Sequence, residues 1–304
     1  MPPAGKLDRV SSTRRDRLVG AGTQVATEVS INYGSALAGL LIPIVGSIVV
    51  VAARQVVTAV AVLPFYRPRR AELTWRRLWP ALALGVVLAA MNLSFYEAVG
   101  RLGLGIAATI EFLGPFALAL AGSRRLLDAG CAVAAAAGVL LLTATEGTVD
   151  PLGVALALTA AAAWAAYILL TRQVAMRLPG LEGLSVASVV STVLTVPLAL
   201  AVIDYSRVDA RVLLLLLALG VLSSAVPYSL DTFILRRITP RLYAVITSFG
   251  PVVATVFGVI VLGERFTLIQ LIGIVVVCLA AGITIATQRD HPRSELEKTA
   301  ESVP

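Results

Sequence analysis

Histidine is almost missing from this chain: its 304 residues hold one, His291, in the polar C-terminal stretch. That excludes a histidine metal cluster and a histidine proton relay, so any proton moved by the chain must ride on carboxylates. Cysteine is nearly as scarce. Cys131 and Cys278 lie inside apolar runs without C-x-x-C spacing, which reads as packing and predicts neither a disulfide nor a metal or other cofactor. Charged residues make up only 14% of the chain against 58% hydrophobic ones, and the mean hydropathy is +0.89. A composition this apolar excludes a water-exposed globular surface and identifies an integral membrane protein. The polar breaks are short, so no segment outside the apolar runs is large enough to fold alone.

The net charge of +7 and pI near 9.9 invite a nucleic-acid reading. The basic residues nevertheless sit in short clusters between apolar runs, which speaks for membrane topology and against a nucleic-acid partner. SSTRRDRLVG, residues 11 to 20, has the paired arginines of a twin-arginine signal. The run behind it contains Glu28 and Asn32 and lacks a cleavage site, so a basic tail before an uncleaved first helix is the better expectation.

A helix crossing the hydrocarbon core needs about 20 apolar residues, and ten segments meet or approach that length. They fall near 24–43, 46–66, 78–98, 103–122, 128–146, 151–171, 184–203, 211–235, 242–262 and 267–287. An even number of spans puts both termini on one side. With that side cytoplasmic, the inner segments collect Arg14, Arg15, Arg17, Arg67, Arg69, Arg70, Arg124, Arg125, Arg236, Arg237 and other basic residues. The outer loops keep Arg101, Arg207, Arg211 and Arg265, so the positive-inside rule fixes the orientation.

RLGLGIAATIEFLGPFALALAG (101–122) aligns without a gap on RITPRLYAVITSFGPVVATVFG (237–258). Arg101 meets Arg237, Gly114 meets Gly250, Pro115 meets Pro251 and Gly122 meets Gly258. The copies sit at spans four and nine, so each repeat holds five helices, and an odd repeat must enter the membrane from the opposite face. The expected fold is all-α: ten transmembrane helices in two inverted five-helix repeats, at 24–147 and 148–288, between basic 1–23 and polar 289–304 tails. Such repeats allow two mirror-related packings around a midplane site, the basis of alternating access. Gly114, Pro115, Gly250 and Pro251 are the candidate kink and gating residues.

A carboxylate at a helix centre costs roughly 2.5 to 3.5 kcal/mol on insertion scales and usually faces a cavity or a polar partner. Glu111 is such a residue, on a stripe of Ala107, Ala108, Gly114 and Pro115. It either lines a wet cavity or pairs structurally, with Arg54 the candidate partner. Further candidates at membrane depth are Asn32, Asn92 and Tyr96, Trp164 and Tyr167, and Tyr228 with Asp231. Glu111 or Asp231 suits a substrate ammonium and a coupled proton, while Asn32, Asn92, Tyr96 or Tyr228 suits a carboxylate. Glu97 is expected to pair with Arg101 one turn on.

IAATIEFLGPFALAL and the block SSAVPYSLDTFILRRITPRLYAVITSFGPVVATVFGVIVLGERFTLIQLIG (223–273) resemble the EamA family of the drug/metabolite transporter superfamily, most of all its bacterial threonine and homoserine exporters. The resemblance covers about 24–287, and its most specific pieces are T-I-E-F-L-G-P and the run of Gly263, Glu264, Thr267, Gln270 and Gly273. It implies ten helices in inverted repeats, a central cavity and efflux of small metabolites through the bacterial inner membrane. One departure stands out: many relatives carry an acid just before the proline of the ninth helix, where this chain has Gly250. The expected function is export of small amino acids or related metabolites by alternating access, with proton coupling through a membrane carboxylate as the expected driving option. Efflux of another small molecule or drug by the same fold is the nearest alternative. A membrane-embedded enzyme would need an interfacial His, Asp and Arg cluster that the sequence lacks, and a scaffold or sensor would bring a soluble domain. The expected partners are a small molecule and the lipid bilayer, and nothing in the sequence sets an oligomeric state.

Overall fold

The computed structural model describes residues 14–64, 74–121, 123, 125–143, 150–178, 182–227, 230, 234 and 237–287. Among them all regular structure is helical. Helices α1 (Arg14–Val45), α2 (Ser47–Val62), α3 (Trp75–Leu102), α4 (Leu104–Glu111), α5 (Leu113–Leu120) and α6 (Leu126–Thr143) make the first half. Helices α7 (Pro151–Ala175), α8 (Glu182–Val202), α9 (Ala210–Gly220), α10 (Pro240–Thr247), α11 (Gly250–Leu262) and α12 (Leu268–Thr287) make the second. Seven helical stretches among the described residues are long and apolar enough to cross a membrane. Three shorter apolar stretches are Ser47–Val62, Leu104–Leu120 and Ala210–Ala225.

The observed helices overlap the expected segments, with shifted ends. The first helix begins at Arg14, inside the segment read as a tail, because Arg14 to Asp16 suit a helix even though they are too polar to register as a span. The span expected at 103–122 is split at Phe112, and that at 242–262 is split at Ser248 and Phe249. Both breaks have one cause. Pro115 and Pro251 lack the N–H that would bond the carbonyl four residues back, which belongs to Glu111 and Thr247 respectively. The regular helix therefore ends at those two residues, a turn ahead of each proline.

Caps set the other ends. The Asp150 carboxylate accepts from Leu152 N at 2.9 Å and Gly153 N at 3.3 Å with Pro151 behind it, and Asp209 accepts from Val212 N at 2.8 Å. Gly46 (φ 84°) and Gly103 (φ 83°) turn the chain between α1 and α2 and between α3 and α4 in the left-handed region that side chains avoid. In lipid there is no hydrophobic drive between helices, so association rests on close packing. α3 lies along α7 and α8, α12 along α6, α2 along α8, α1 along α9 and α11, and α4 along α7 and α11. Small residues such as Ala157, Ala160, Ala161 and Ala187, all at most 5% exposed, let these backbones approach.

After α9 the helix widens into a π turn over Val221–Ala225. This misaligns carbonyls that side chains then satisfy: Ser30 Oγ donates to Leu222 O at 2.7 Å and Arg54 Nη2 to Ser223 O at 3.0 Å. The irregularity thereby fixes an arginine in the middle of the bundle.

Candidate functional site

At mid-depth the helices part around a cavity of about 240 Å³. Helix α1 contributes Glu28, Asn32 and Ser35, α2 contributes Arg54, and α3 contributes Asn92. Across from them stand Glu111 at the end of α4, Trp164 and Tyr167 on α7, Ser223 in the π turn, and Tyr243 and Thr247 on α10. The volume lies below the roughly 300–1,000 Å³ of drug-sized pockets, which suits a small metabolite.

The broken helix explains Glu111. It is the last residue of α4, half-buried, on the cavity wall, and its carboxylate makes no hydrogen bond or ion pair with a described residue. No direct salt bridge joins Glu111 to Arg54, although the two charges line the same cavity. Arg54 instead donates from Nε to Ser224 Oγ at 2.9 Å, from Nη1 to the Tyr96 hydroxyl at 2.8 Å and from Nη2 to Ser223 O. A cation and an anion therefore line one cavity.

Tyr96 is fully buried, and the residues lining the cavity do not include it. Its hydroxyl, 3.4 Å from Ser35 Oγ, serves Arg54 from behind. The two amides do line the cavity, and each commits one N–H of its NH₂ to its own helix: Asn32 Nδ2 donates to Glu28 O at 2.9 Å and Asn92 Nδ2 to Leu88 O at 2.8 Å. Each amide keeps its carbonyl oxygen and its second N–H for other partners. Trp164 is held edge-on by Phe112, with ring centres 5.9 Å apart. Tyr228 and Asp231 lie outside the described residues.

Glu28 and Thr247 were not among the expected site residues. Thr247 is the counterpart of Glu111 in the gapless alignment and receives Gln24 Nε2 at 3.2 Å. The same Gln24 nitrogen donates to Glu28 Oε1 at 3.1 Å. Glu28, 7% exposed, lies over Gly250, where a Cβ would stand 3.4 Å from Oε2. An acid therefore does reach the ninth span, supplied by α1 and not by the residue before Pro251. Its signal in the sequence was a glutamate at membrane depth, which periodicity alone could not aim.

Comparison with known proteins agrees with this architecture. The model of the EamA-like transporter family matches residues 151–286. The chain is 36% identical over 265 residues to the threonine/homoserine exporter RhtA of Salmonella typhimurium (strain SL1344), covering 86% of this chain and 90% of the relative. It is 35% identical over 272 residues to the protein of the same name from Escherichia coli (strain K12), covering 88% and 92%. A solved crystal structure superposes with a TM-score of 0.61 at 19% identity, over 90% of this chain and 98% of its own, which speaks for the fold alone.

Proposed function

We propose, from the premise that this chain belongs to the EamA-like transporter family, that it exports small zwitterionic amino acids of the threonine and homoserine type across the bacterial inner membrane. One observation carries the substrate class: an acid, Glu111, and a base, Arg54, line the same cavity. A free amino acid carries an ammonium and a carboxylate a few ångströms apart. Glu111 takes the first and Arg54 the second, while the carbonyl oxygens of Asn32 and Asn92 accept from the ammonium or a side-chain hydroxyl. Glu111 is also the described group suited to exchange a proton during the cycle, with Glu28, Arg54, Tyr167 and Tyr243 facing it across the cavity.

The cycle is alternating access by two inverted five-helix repeats, with the termini cytoplasmic. Three features support this. Helices α4 and α10 begin and end at the same positions of the gapless alignment, residues 104–111 and 240–247. Exchanging the first five spans for the last five returns the same packing partners: α3 on α7 becomes α9 on α1, α3 on α8 becomes α9 on α2, and α1 on α11 becomes α7 on α4 and α5. The pairs α6 with α12 and α2 with α8 map onto themselves. The reading is tested by threonine counterflow in proteoliposomes: trans threonine is expected to accelerate uptake of labelled threonine, and equal rates with and without it overturn the reading.

A further inference from the structure

The half-helix that carries Glu111 is held at its other end by a residue from the opposite half of the chain. Glu264, in the turn between α11 and α12, accepts from Leu104 N at 2.5 Å through Oε1 and from Gly105 N at 3.3 Å through Oε2. These are the first amides of α4, which have no partner within the helix. The fit is built by glycines. Gly263 (φ 69°) lets α11 end so that Glu264 N closes back on Gly258 O at 3.0 Å, aiming the side chain at α4. A Cβ on Gly103 would come within 2.9 Å of Oε1, and one on Gly258 would collide with the same carboxylate. Burial pushes the Glu264 carboxyl above its ordinary value, and the two backbone N–H bonds pull it back.

This contact sits at the sealed end of the bundle. Along α1 the cavity residues end at Ser35 and the continuous apolar core begins at Ala36. On α4 the core runs from Leu104 to Ile110 with Glu111 beyond it, and on α11 Ala254 follows the cavity residues Gly250 and Pro251. On each helix the core separates the cavity from the end where Gly46, Gly103 and Gly263 turn.

We propose that Glu264 is a latch and a positioning residue: it clamps the start of the Glu111 helix to the α11–α12 turn, keeps this end of the cavity shut, and must release for the site to change faces. The release step rests on the transporter reading, and the clamp does not.

The test is the sidedness of the cavity. Cys131 and Cys278 are replaced by alanine, Ala108→Cys on the cavity wall is the reporter, and a membrane-impermeant maleimide is applied to right-side-out and inverted vesicles. Loss of a charge-assisted pair predicts that E264A raises labelling from the sealed end about tenfold, with E264Q intermediate because it keeps one acceptor oxygen, and that E264D restores part of the seal. A cap of merely structural weight would lower thermal stability and leave labelling unchanged, and unchanged labelling in correctly inserted E264Q and E264A overturns the latch. If E264A does not insert, E264Q and E264D decide in the same way. Absent threonine counterflow in the parent, together with a shift in labelling, overturns the transport reading and leaves the clamp standing.

Discussion

Arg54 reaches the Tyr96 hydroxyl with a 2.8 Å hydrogen bond from Nη1, and its guanidinium carbon lies 5.7 Å from the centre of the same ring. The tyrosine thus holds the arginine twice, by its oxygen and by its face. If Arg54 binds the substrate carboxylate, Arg54→Gln raises KM for threonine by about tenfold to a hundredfold, the weight of a charge-assisted bond of about 1.5–3 kcal/mol. Arg54→Lys does not rescue it, because an ammonium cannot serve Ser224, Tyr96 and Ser223 at once. Tyr96→Phe keeps the ring and loses one bond, so it raises KM by less and leaves the maximal rate near normal. Counterflow kinetics over a range of threonine concentrations separate the three.

Glu111→Gln preserves shape and removes the charge. Export is expected to fall about tenfold or more, since the substrate ammonium loses its ionic acceptor. The protein still inserts and purifies as a folded species. The same variant tests coupling. Collapsing the pH gradient slows export by the parent and has no further effect on the residual activity of Glu111→Gln. Equal transport by variant and parent returns Glu111 to a packing role.

That the chain is a bundle of long apolar helices was legible because a bilayer imposes a length and a composition that few other environments require. The split helices were legible from Gly114–Pro115 and Gly250–Pro251, although the break falls a turn earlier, at the carbonyls those prolines cannot bond. Glu111 was legible because an isolated acid in an apolar run demands an explanation. The company it keeps was not. Glu28, Arg54 and Thr247 come from three helices and meet only through tertiary packing, and helical spacing gave Tyr96 a face but not its depth, fully buried behind Arg54. The Ser47, Glu97, Arg101 and Asp150 network was half legible. The expected Glu97–Arg101 pair is present at 3.3 Å, while Ser47 Oγ to Glu97 at 2.6 Å and Arg101 to Asp150 at 2.8 Å join segments distant in the chain.

Asp150 gives a pH dependence of stability. The hydrogen bond from Arg101, with those from Gly153 and Leu152, holds its carboxyl below the ordinary value of 3.8. A group depressed in the folded state adds stability above its unfolded value and loses it as the pH falls through the folded one. Asp150→Asn is therefore expected to lower the thermal midpoint at pH 7, and the difference from the parent to shrink below pH about 4, where the unfolded carboxyl protonates. Melting curves in detergent across that range check it, and added salt reduces the effect because the pair is exposed.

Gly138 on α6 and Gly273 on α12 face each other with no room for a side chain between them. A Cβ on Gly273 would stand 2.7 Å from Gly138 O, and one on Gly138 would stand 2.9 Å from Gly273 O. Both obstacles are backbone, which cannot rotate aside, so the two helices must separate to admit a methyl group. Gly273→Ala is expected to destabilise the protein by about 1–3 kcal/mol, the range for overpacked sites. Gly130, also on α6, supplies the control, because a Cβ there meets nothing within 4 Å. Gly130→Ala gains helix propensity without a clash and should stabilise by about 1 kcal/mol at most. Thermal unfolding of both variants in one detergent decides the matter: equal midpoints would mean that the α6–α12 contact is loose in the membrane protein, and opposite shifts would mark it as one of the tight seams between the two halves of the chain.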